Sequence, residues 1–423
     1  MKRWLGVLTL MVLVSVAYMD RINVSLMITN ADFLRTMGIE GDRIAQGRLM
    51  SLFLFGYGVS ALVVTPLFEA KWTVRMGLLL SIAMWTAFTG ASALTASVAL
   101  FLVWRLLLGV SEGPLFSLKT MYVKEHFEAH EVGKPNAVSS LGVSIGLGTG
   151  YTILGLLIAH FGWRDSFWAL AGINVVVGLP LVLLFVRAPA VPRARPAPPA
   201  GAPVKPDAWT LLKSSLRTPH LGWILVIEIC TLSYLWGAST WLPSYLKEAR
   251  HFSLAQMSVF AGLPFIVGIL ANLLGGTVID ILPVRRAPLA FVVGGIGTSV
   301  GVTVAILADN PYVSAIALIF AGAAWGFQAP AIPTLVQHVS RPGTVGTTYG
   351  VINGVGNLVS ALMPMLMGAA MTTHSGDNLG QGFWLLVGTQ LLTIVAGAML
   401  LMQLKRSNIV DGVDLVSVAG PAE

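Results

Sequence analysis

Twelve stretches of predominantly apolar residues, each near twenty residues or longer, follow one another along the chain. The first six lie at about 4–30, 45–69, 77–97, 98–124, 135–160 and 164–187. After a break come about 218–246, 254–279, 288–308, 311–340, 344–373 and 382–404. At about 1.5 Å of rise per residue, each is long enough to cross roughly 30 Å of hydrocarbon as a helix. A helix is also the one structure in which a single segment satisfies its own backbone inside lipid. The pattern predicts an all-α integral membrane protein with twelve transmembrane helices.

Composition supports this. Charged residues make up 11% and hydrophobic ones 55% of 423 residues, too few charges to cover a soluble protein of this size. The net charge of +7 is a topological signal and not a nucleic-acid footprint, because the basic residues segregate. With the N-terminus inside, seventeen fall on cytoplasmic segments, against Arg35, Arg43, Arg164, Lys247 and Arg250 opposite. Both termini are therefore expected in the cytoplasm. Lys2-Arg3 before an apolar run resembles a signal peptide, but no small-x-small cleavage site follows, so it reads as a retained first span. Cys230, the single cysteine, excludes an intramolecular disulfide and reads as buried filler.

The break at 188–217 is rich in proline and alanine and reads as a semi-extended cytoplasmic linker. It divides the chain into an N-terminal six-helix bundle, 1–187, and a C-terminal one, 218–406, followed by a disordered tail, 407–423. The halves resemble diverged copies. Thr65 to Arg75 and Gly276 to Arg286 each place an acid at a helix end, Glu69 and Asp280, with a basic residue soon after, Arg75 and Arg285. Such repeats are how many transporters build alternating access; the alternative is a plain interfacial charge cluster in each half.

Ionisable residues inside spans are expensive, so they mark interiors. Of the carboxylates only Asp20, Glu112 and Glu228 fall well inside. Arg21 and Arg105 join them, with Lys119 deeper toward the cytoplasm. Arg105, Glu112 and Lys119 are seven apart and fall on one helix face, which must line an interior. Helical rise places Asp20 roughly 24 Å and Arg105 roughly 21 Å above the cytoplasmic end, so the two can pair. That leaves Arg21, whose planar fork suits a carboxylate, sulfonate or phosphonate. The alternatives are that Arg21 caps a carbonyl or pairs with Asp20 itself.

Glu112 sits in Ser111-Glu-Gly-Pro114, where glycine and proline loosen a helix. Low-dielectric surroundings penalise a carboxylate's charged form, which suits Glu112 to proton coupling; a permanently protonated helix-packing residue is the alternative. Glu228 reads equally as either. The seven histidines lie near span ends or in loops, so a histidine relay is not expected. Tyr57, Ser144, Tyr151, Asn272, Gln328, Asn353 and Asn357 are polar or aromatic groups that could complete a cavity or serve as helix glue. Gly142, Gly146 and Gly150 form a small-residue ladder for close packing. Trp241 and Tyr245 read as membrane-interface anchors. No phosphate-cradling Gly-Lys-Ser loop, metal-type His/Cys cluster or serine–histidine elbow is visible, so no enzyme, metal or cofactor is expected.

Several stretches carry a family resemblance: Tyr18-Met-Asp-Arg-Ile-Asn23, Arg105-x6-Glu112-Gly-Pro, Gly162-Trp-Arg-Asp-Ser-Phe167, Trp241-Leu-Pro-Ser-Tyr245 and Tyr349-Gly-Val-Ile-Asn-Gly-Val-Gly-Asn357. With twelve spans and a central linker, the chain resembles the major facilitator superfamily, and within it the anion:cation symporter family of bacterial sugar-acid and aromatic-acid permeases and sialin. The resemblance implies that Arg21 binds the substrate carboxylate, Asp20 pairs with Arg105 and Glu112 is protonated. Tyr57 and Asn353 or Asn357 are implied substrate contacts. The family's Gly-x-x-x-Asp-Arg-x-Gly loop departs here to Thr65-x-x-x-Glu69-Ala70-x-Trp72, which implies weaker latching, or latching through Lys71 and Arg75.

The expectation is a proton-coupled importer of a small organic anion, a sugar acid, aromatic acid or dicarboxylate, in a bacterial inner membrane. The proton gradient is its driving force, lipid its surroundings and a monomer its working form. An exchanger or exporter using the same cavity is the competing transport reading. A non-transporting sensor would need a signalling domain, which 407–423 is too short to supply.

Overall fold

The computed structural model describes residues 2–128, 133–187, 208–340, 344–373 and 376–406. The chain begins with α1 (Lys2–Met27), a short α2 (Ala31–Met37), α3 (Arg43–Lys71), α4 (Val74–Leu94), α5 (Val98–Glu112) and α6 (Leu115–His126). Then come α7 (Gly133–Phe161) and α8 (Trp163–Ile173), which passes through a π-helical turn into α9 (Leu179–Phe185). Next are α10 (Ala208–Leu216), α11 (Leu221–Ser244) with a π-helical end at Tyr245–Ala249, α12 (Leu254–Ile281) and α13 (Leu289–Leu307). The last are α14 (Pro311–Gln328), α15 (Ala331–Val339), α16 (Val345–Ser360), α17 (Met363–Met371) and α18 (Leu379–Arg406). Among the described residues the strand content is one antiparallel pair, β1 (Thr372–Thr373) with β2 (Gly376–Asp377).

Eleven helical runs among the described residues are long and apolar enough to cross a membrane. The expected span at 45–69 lies within the 29-residue α3 but is not among them. The side chains of 64–71, at the end of that helix, lie outside the described residues, which shortens its described apolar stretch. The expected tail 407–423 and the proline-rich stretch 188–207 lie outside the described residues, whereas 208–216 of the expected linker is the helix α10.

Helix ends are set by local chemistry. Ser253 and Gln256 form a capping box on α12, and Asn310 accepts from the Tyr312 and Val313 amides ahead of Pro311 on α14. Prolines inside the runs act differently, because each lacks the N–H that would serve the carbonyl four residues earlier. Pro114 frees the Val110 carbonyl, and Ser60 of α3 donates to it at 2.6 Å. Pro243 frees the Ser239 carbonyl, and Tyr151 of α7 donates to it at 2.5 Å. At these two prolines a lost helical bond is replaced by a bond between helices.

Close packing follows the glycines. α1 lies along α7, and a Cβ on Gly142 or Gly146 would come within 2.4 Å of the Met11 or Ser15 carbonyl. α3 lies against α5, where a Cβ on Gly109 would meet the Phe53 carbonyl at 2.0 Å. The later helices pack as α13 on α14 and α18, α12 on α14, and α11 on α18 and α16. The early and late helices meet at α7 with α12, α3 with α16 and α17, and α1 with α11. Trp241 and Tyr245 correct the interface-anchor reading. Both are buried, with Trp241 Nε1 donating to the Pro364 carbonyl at 2.8 Å and the Tyr245 hydroxyl to the Ala305 carbonyl at 2.7 Å. Ordinary anchors keep their polar tip in the headgroups; these two spend it on backbone carbonyls of neighbouring helices.

A Gly146→Leu variant should lose at least about 2 kcal/mol of stability, because α1 must move off α7 to admit it. Thermal unfolding in detergent measures this; an unchanged midpoint would show that α1 can shift freely.

Candidate functional site

The ionisable residues of α1 and α5 meet in one buried cluster. Arg21 of α1 donates from Nε to Glu112 Oε2 of α5 at 2.8 Å, both side chains essentially inaccessible. The guanidinium lies in an aromatic sleeve, 4.3 Å from the Tyr18 ring centre, 4.4 Å from Tyr57, 5.3 Å from Phe53 and 5.7 Å from Trp236. Tyr18 also stacks on Trp236 at 6.2 Å, so the sleeve joins α1, α3 and α11.

The expected Asp20–Arg105 ion pair is not made. The Thr89 hydroxyl of α4 donates to Asp20 Oδ2. Arg105 Nε donates to the Leu49 carbonyl at 3.2 Å, and its guanidinium lies 4.7 Å from the Phe53 ring centre. Arg21 is therefore the paired arginine rather than the one left over. Asp20 and Arg105 remain close enough to attract each other electrostatically, but their hydrogen bonds are made with Thr89 and the Leu49 carbonyl.

Much of the cluster's hydrogen-bonding capacity is unused. Among the described residues, Asp20 Oδ1, Glu112 Oε1 and the terminal nitrogens of Arg21 and Arg105 have no partner of good hydrogen-bond geometry, although the Tyr18 and Tyr57 side chains lie close enough to interact with the Arg21 guanidinium. Buried polar atoms are nearly always satisfied, since leaving one unpaired costs about 1–3 kcal/mol. So many in one place set this cluster apart from a fully satisfied structural ion pair.

A cavity of about 760 Å³ approaches this cluster as far as Tyr57, whose ring lies against the Arg21 guanidinium; none of the four charged groups lines it. Its deep end is bounded by Tyr57 and Asn357, and its lining descends through Asn353 and Tyr349 to Lys119, Asn136 and Gln337. The last three lie near the helix ends on the face that holds the start of α1 and the end of α18, here the terminal face. A narrower apolar cavity of about 310 Å³, lined by Ser144, Tyr234, Phe265, Asn272 and Trp325, shares Ala137 and Ser140 with it.

The opposite face is shut. Arg43 at the start of α3 forks onto Glu248 beyond α11, with its Nη2 at 2.5 Å from Oε2. Lys247 donates to the Thr29 carbonyl at 2.5 Å. Trp163 Nε1 donates to Asp32 at 2.9 Å, fixing α2 on α8. Arg43 with Glu248, Lys247 with Thr29 and Tyr151 with Ser239 join the early part of the chain to the late part, whereas Trp163 with Asp32 braces the early helices and Trp241 with Pro364 the late ones.

The other sequence-selected residues divide. Asn353 and Asn357 line the cavity and bond each other, and Trp236 Nε1 donates to Asn357 Oδ1 at 3.2 Å. Gln328 is not at the cavity: it is fully buried and its Nε2 donates to Gln390 of α18 at 3.0 Å, a helix–helix contact. Glu228 is buried on α11 against Gly356 of α16, off the lining. Of the loop residues, Arg75 donates to the Leu183 carbonyl at 2.8 Å. Asp280 and Arg285 are exposed, with no ion pair to another described residue, and the Glu69 side chain lies outside the described residues. Sequence reasoning missed Thr89, Phe53 and Trp236. Thr89 could have been found as one more polar group at mid-span; nothing in spacing distinguishes the two aromatics from packing residues.

Comparison with known proteins agrees with this architecture. The model of the Major Facilitator Superfamily matches residues 10–364. A Bacillus subtilis (strain 168) protein described as "Probable galactarate/D-glucarate transporter GudP" is 25% identical over 95% of this chain and 92% of its own length. An Escherichia coli (strain K12) "Probable L-galactonate transporter" is 24% identical over 85% of this chain and 81% of its own. Among solved structures, a bacterial homologue of the lysosomal transporter Spinster superposes with a TM-score of 0.76 at 15% identity, over 96% of this chain and 97% of that one.

The cavity geometry predicts one-sided access. In a Cys230→Ser background, an Asn353→Cys variant should react with a membrane-impermeant thiol reagent from the terminal face, located by a C-terminal tag, and not from the other. Adding Arg43→Ala should raise labelling from the opposite face severalfold. Equal labelling from both faces without that change would contradict the closure described above.

Proposed function

The chain belongs to the Major Facilitator Superfamily, and from that membership we propose that it is a symporter that brings a small organic anion across a bacterial inner membrane with protons. It is a transporter and not an enzyme. In this reading two six-helix units, 1–187 and 218–406, rock about the central cavity, with α3 as the twelfth span, 188–217 as the linker and 407–423 as a tail. Both termini lie in the cytoplasm, as the seventeen-to-five bias of basic residues supports. The terminal face is then the cytoplasmic one, and the cavity is open inward. No cofactor is needed beyond the proton gradient, and one chain suffices.

The observation that carries the reading is a buried arginine with two unfilled terminal nitrogens, one aromatic ring away from the cavity and already bonded to a carboxylate. Relatives described as transporters of galactarate, galactonate, sulfoacetate and muconate support an acidic substrate. A substrate carboxylate binds the Arg21 fork once Tyr57 swings aside, with Asn353 and Asn357 holding its body. Charge then dictates coupling. Asp20, Arg21, Arg105 and Glu112 sum to zero when all are ionised, so an added carboxylate leaves one uncompensated negative charge in a dry interior. A proton on Glu112 removes that charge and loosens its hold on Arg21, and Asp20 is the second acceptor. Glu228, the remaining buried carboxylate, is held in reserve for either role.

Reconstituted wild-type protein should accumulate an organic anion against its gradient when a pH gradient is imposed, and lose this with an ionophore. Glu112→Gln should abolish accumulation yet keep counterflow. Arg21→Ala should weaken binding by roughly tenfold to a hundredfold, the loss of one or two charge-assisted hydrogen bonds. Proton-driven accumulation that survives in Glu112→Gln would overturn the coupling assignment.

A further inference from the structure

We propose that Lys119 is a second anion-binding group in the cavity, and that the transported substrate carries two anionic groups, one held by Arg21 and the other by Lys119. This rests on the symporter reading above and narrows its substrate to dianions: dicarboxylates, or acids pairing a carboxylate with a sulfonate or phosphonate.

Lys119 is 4% exposed, and its Nζ donates to Ser140 Oγ at 2.7 Å while lying 4.9 Å from the Phe116 ring centre. It forms no ion pair with another described residue. An ammonium has three donors and is strongly hydrated, so holding one nearly buried with one neutral partner is unfavourable unless an anion visits it. Lys119 is also the one charged side chain among the described residues lining the 760 Å³ cavity. No carboxylate in that lining competes for it.

Its spacing sets the length of the ligand. Lys119 follows Glu112 by seven residues, and Glu112 touches Arg21. Gly113 and Pro114 keep right-handed helical dihedrals, φ −50° with ψ −42° and φ −71° with ψ −14°, so the helix carries on through the proline. The rise from Glu112 to Lys119 is therefore about 10 Å along the axis. Allowing about 3 Å of charge-assisted hydrogen bond at each end, the gap suits a chain of about four to six carbons between and including two carboxyl groups. Asn353, Asn357 and Tyr349 lie on the facing wall to meet the middle of such a molecule. The charge arithmetic stays intact: Lys119 balances the second anionic group, so one proton still compensates the first.

The test is calorimetric binding to the purified full-length protein at fixed pH. The probes are four- to six-carbon dicarboxylates, plain and polyhydroxylated, and a sulfocarboxylate, each paired with an analogue in which one acid is an amide. Wild type should bind at least one dianion tenfold or more tighter than its monoanionic partner. Lys119→Met should erase that preference while leaving the monoanion's affinity unchanged, and Lys119→Arg should keep it. Lys119→Gln, which retains a donor for Ser140, reads the same way if the methionine variant does not fold. A preference that survives loss of the charge, or a loss that falls equally on dianion and monoanion, overturns the proposal. Arg21-dependent binding of monoanions with no dianion preference also overturns it while leaving the symporter reading standing. Wild type that binds no acid at all sinks both.

Discussion

The Arg21–Glu112 pair is the interaction on which the rest of this structure depends. A guanidinium and a carboxylate at 2.8 Å, with neither reached by solvent, are expensive to bury unless their surroundings compensate both. The compensation here is incomplete by design of the neighbours: aromatic faces from α1, α3 and α11 close around the arginine without filling its terminal donors. Asp20 and Arg105 sit beside the pair with single partners and spare capacity of their own. The cluster is thus neutral in sum when all four groups are ionised, yet unsatisfied in its hydrogen bonds, which on the proposed reading lets it exchange partners.

The scaffold that holds this cluster is built from two devices that act together. Glycines let backbones approach: α1 on α7 through Gly142 and Gly146, and α5 on α3 through Gly109. Prolines then release carbonyls into those close contacts. The Val110 carbonyl freed by Pro114 is taken by Ser60 two residues along the chain from Glu112, which fixes α5 against α3 beside the site. The Ser239 carbonyl freed by Pro243 is taken by Tyr151, which ties an early helix to a late one. Without a hydrophobic driving force between helices in lipid, such bonds and close contacts carry much of the association energy.

Access to the cluster is one-sided for the same reason. On the face away from the termini, an arginine fork and a lysine on a backbone carbonyl cross from early to late helices. On the terminal face no comparable bridge crosses the cavity among the described residues, and its walls carry Lys119 and polar side chains instead. The bonds on the shut face are charge-assisted but only partly buried, Glu248 retaining 31% exposure, so they are of a kind that can open. On the proposed reading, opening them while closing the terminal face is the transport step.

Spacing and hydropathy alone determined the class of this protein and the identity of its costly residues. A seven-residue interval put Arg105, Glu112 and Lys119 on one stripe, and all three are buried; apolar length predicted the spans, all of which fall on helices, eleven of them long and apolar enough among the described residues to cross a membrane. Which charge meets which was decided only by tertiary structure. Depth along an axis follows from counting residues, but azimuth and the identity of the facing helix do not, so Asp20 and Arg105 are neighbours that attract without a direct bond, and the direct ion pair is Arg21 with Glu112. The same limit explains Gln328, whose type suits a cavity but whose face meets Gln390, and Trp241 and Tyr245, whose polar tips serve backbone carbonyls of neighbouring helices rather than headgroups. A chain spells out what each side chain can bond and how far along its helix it sits; only packing, by turning each helix about its axis, chooses the partner.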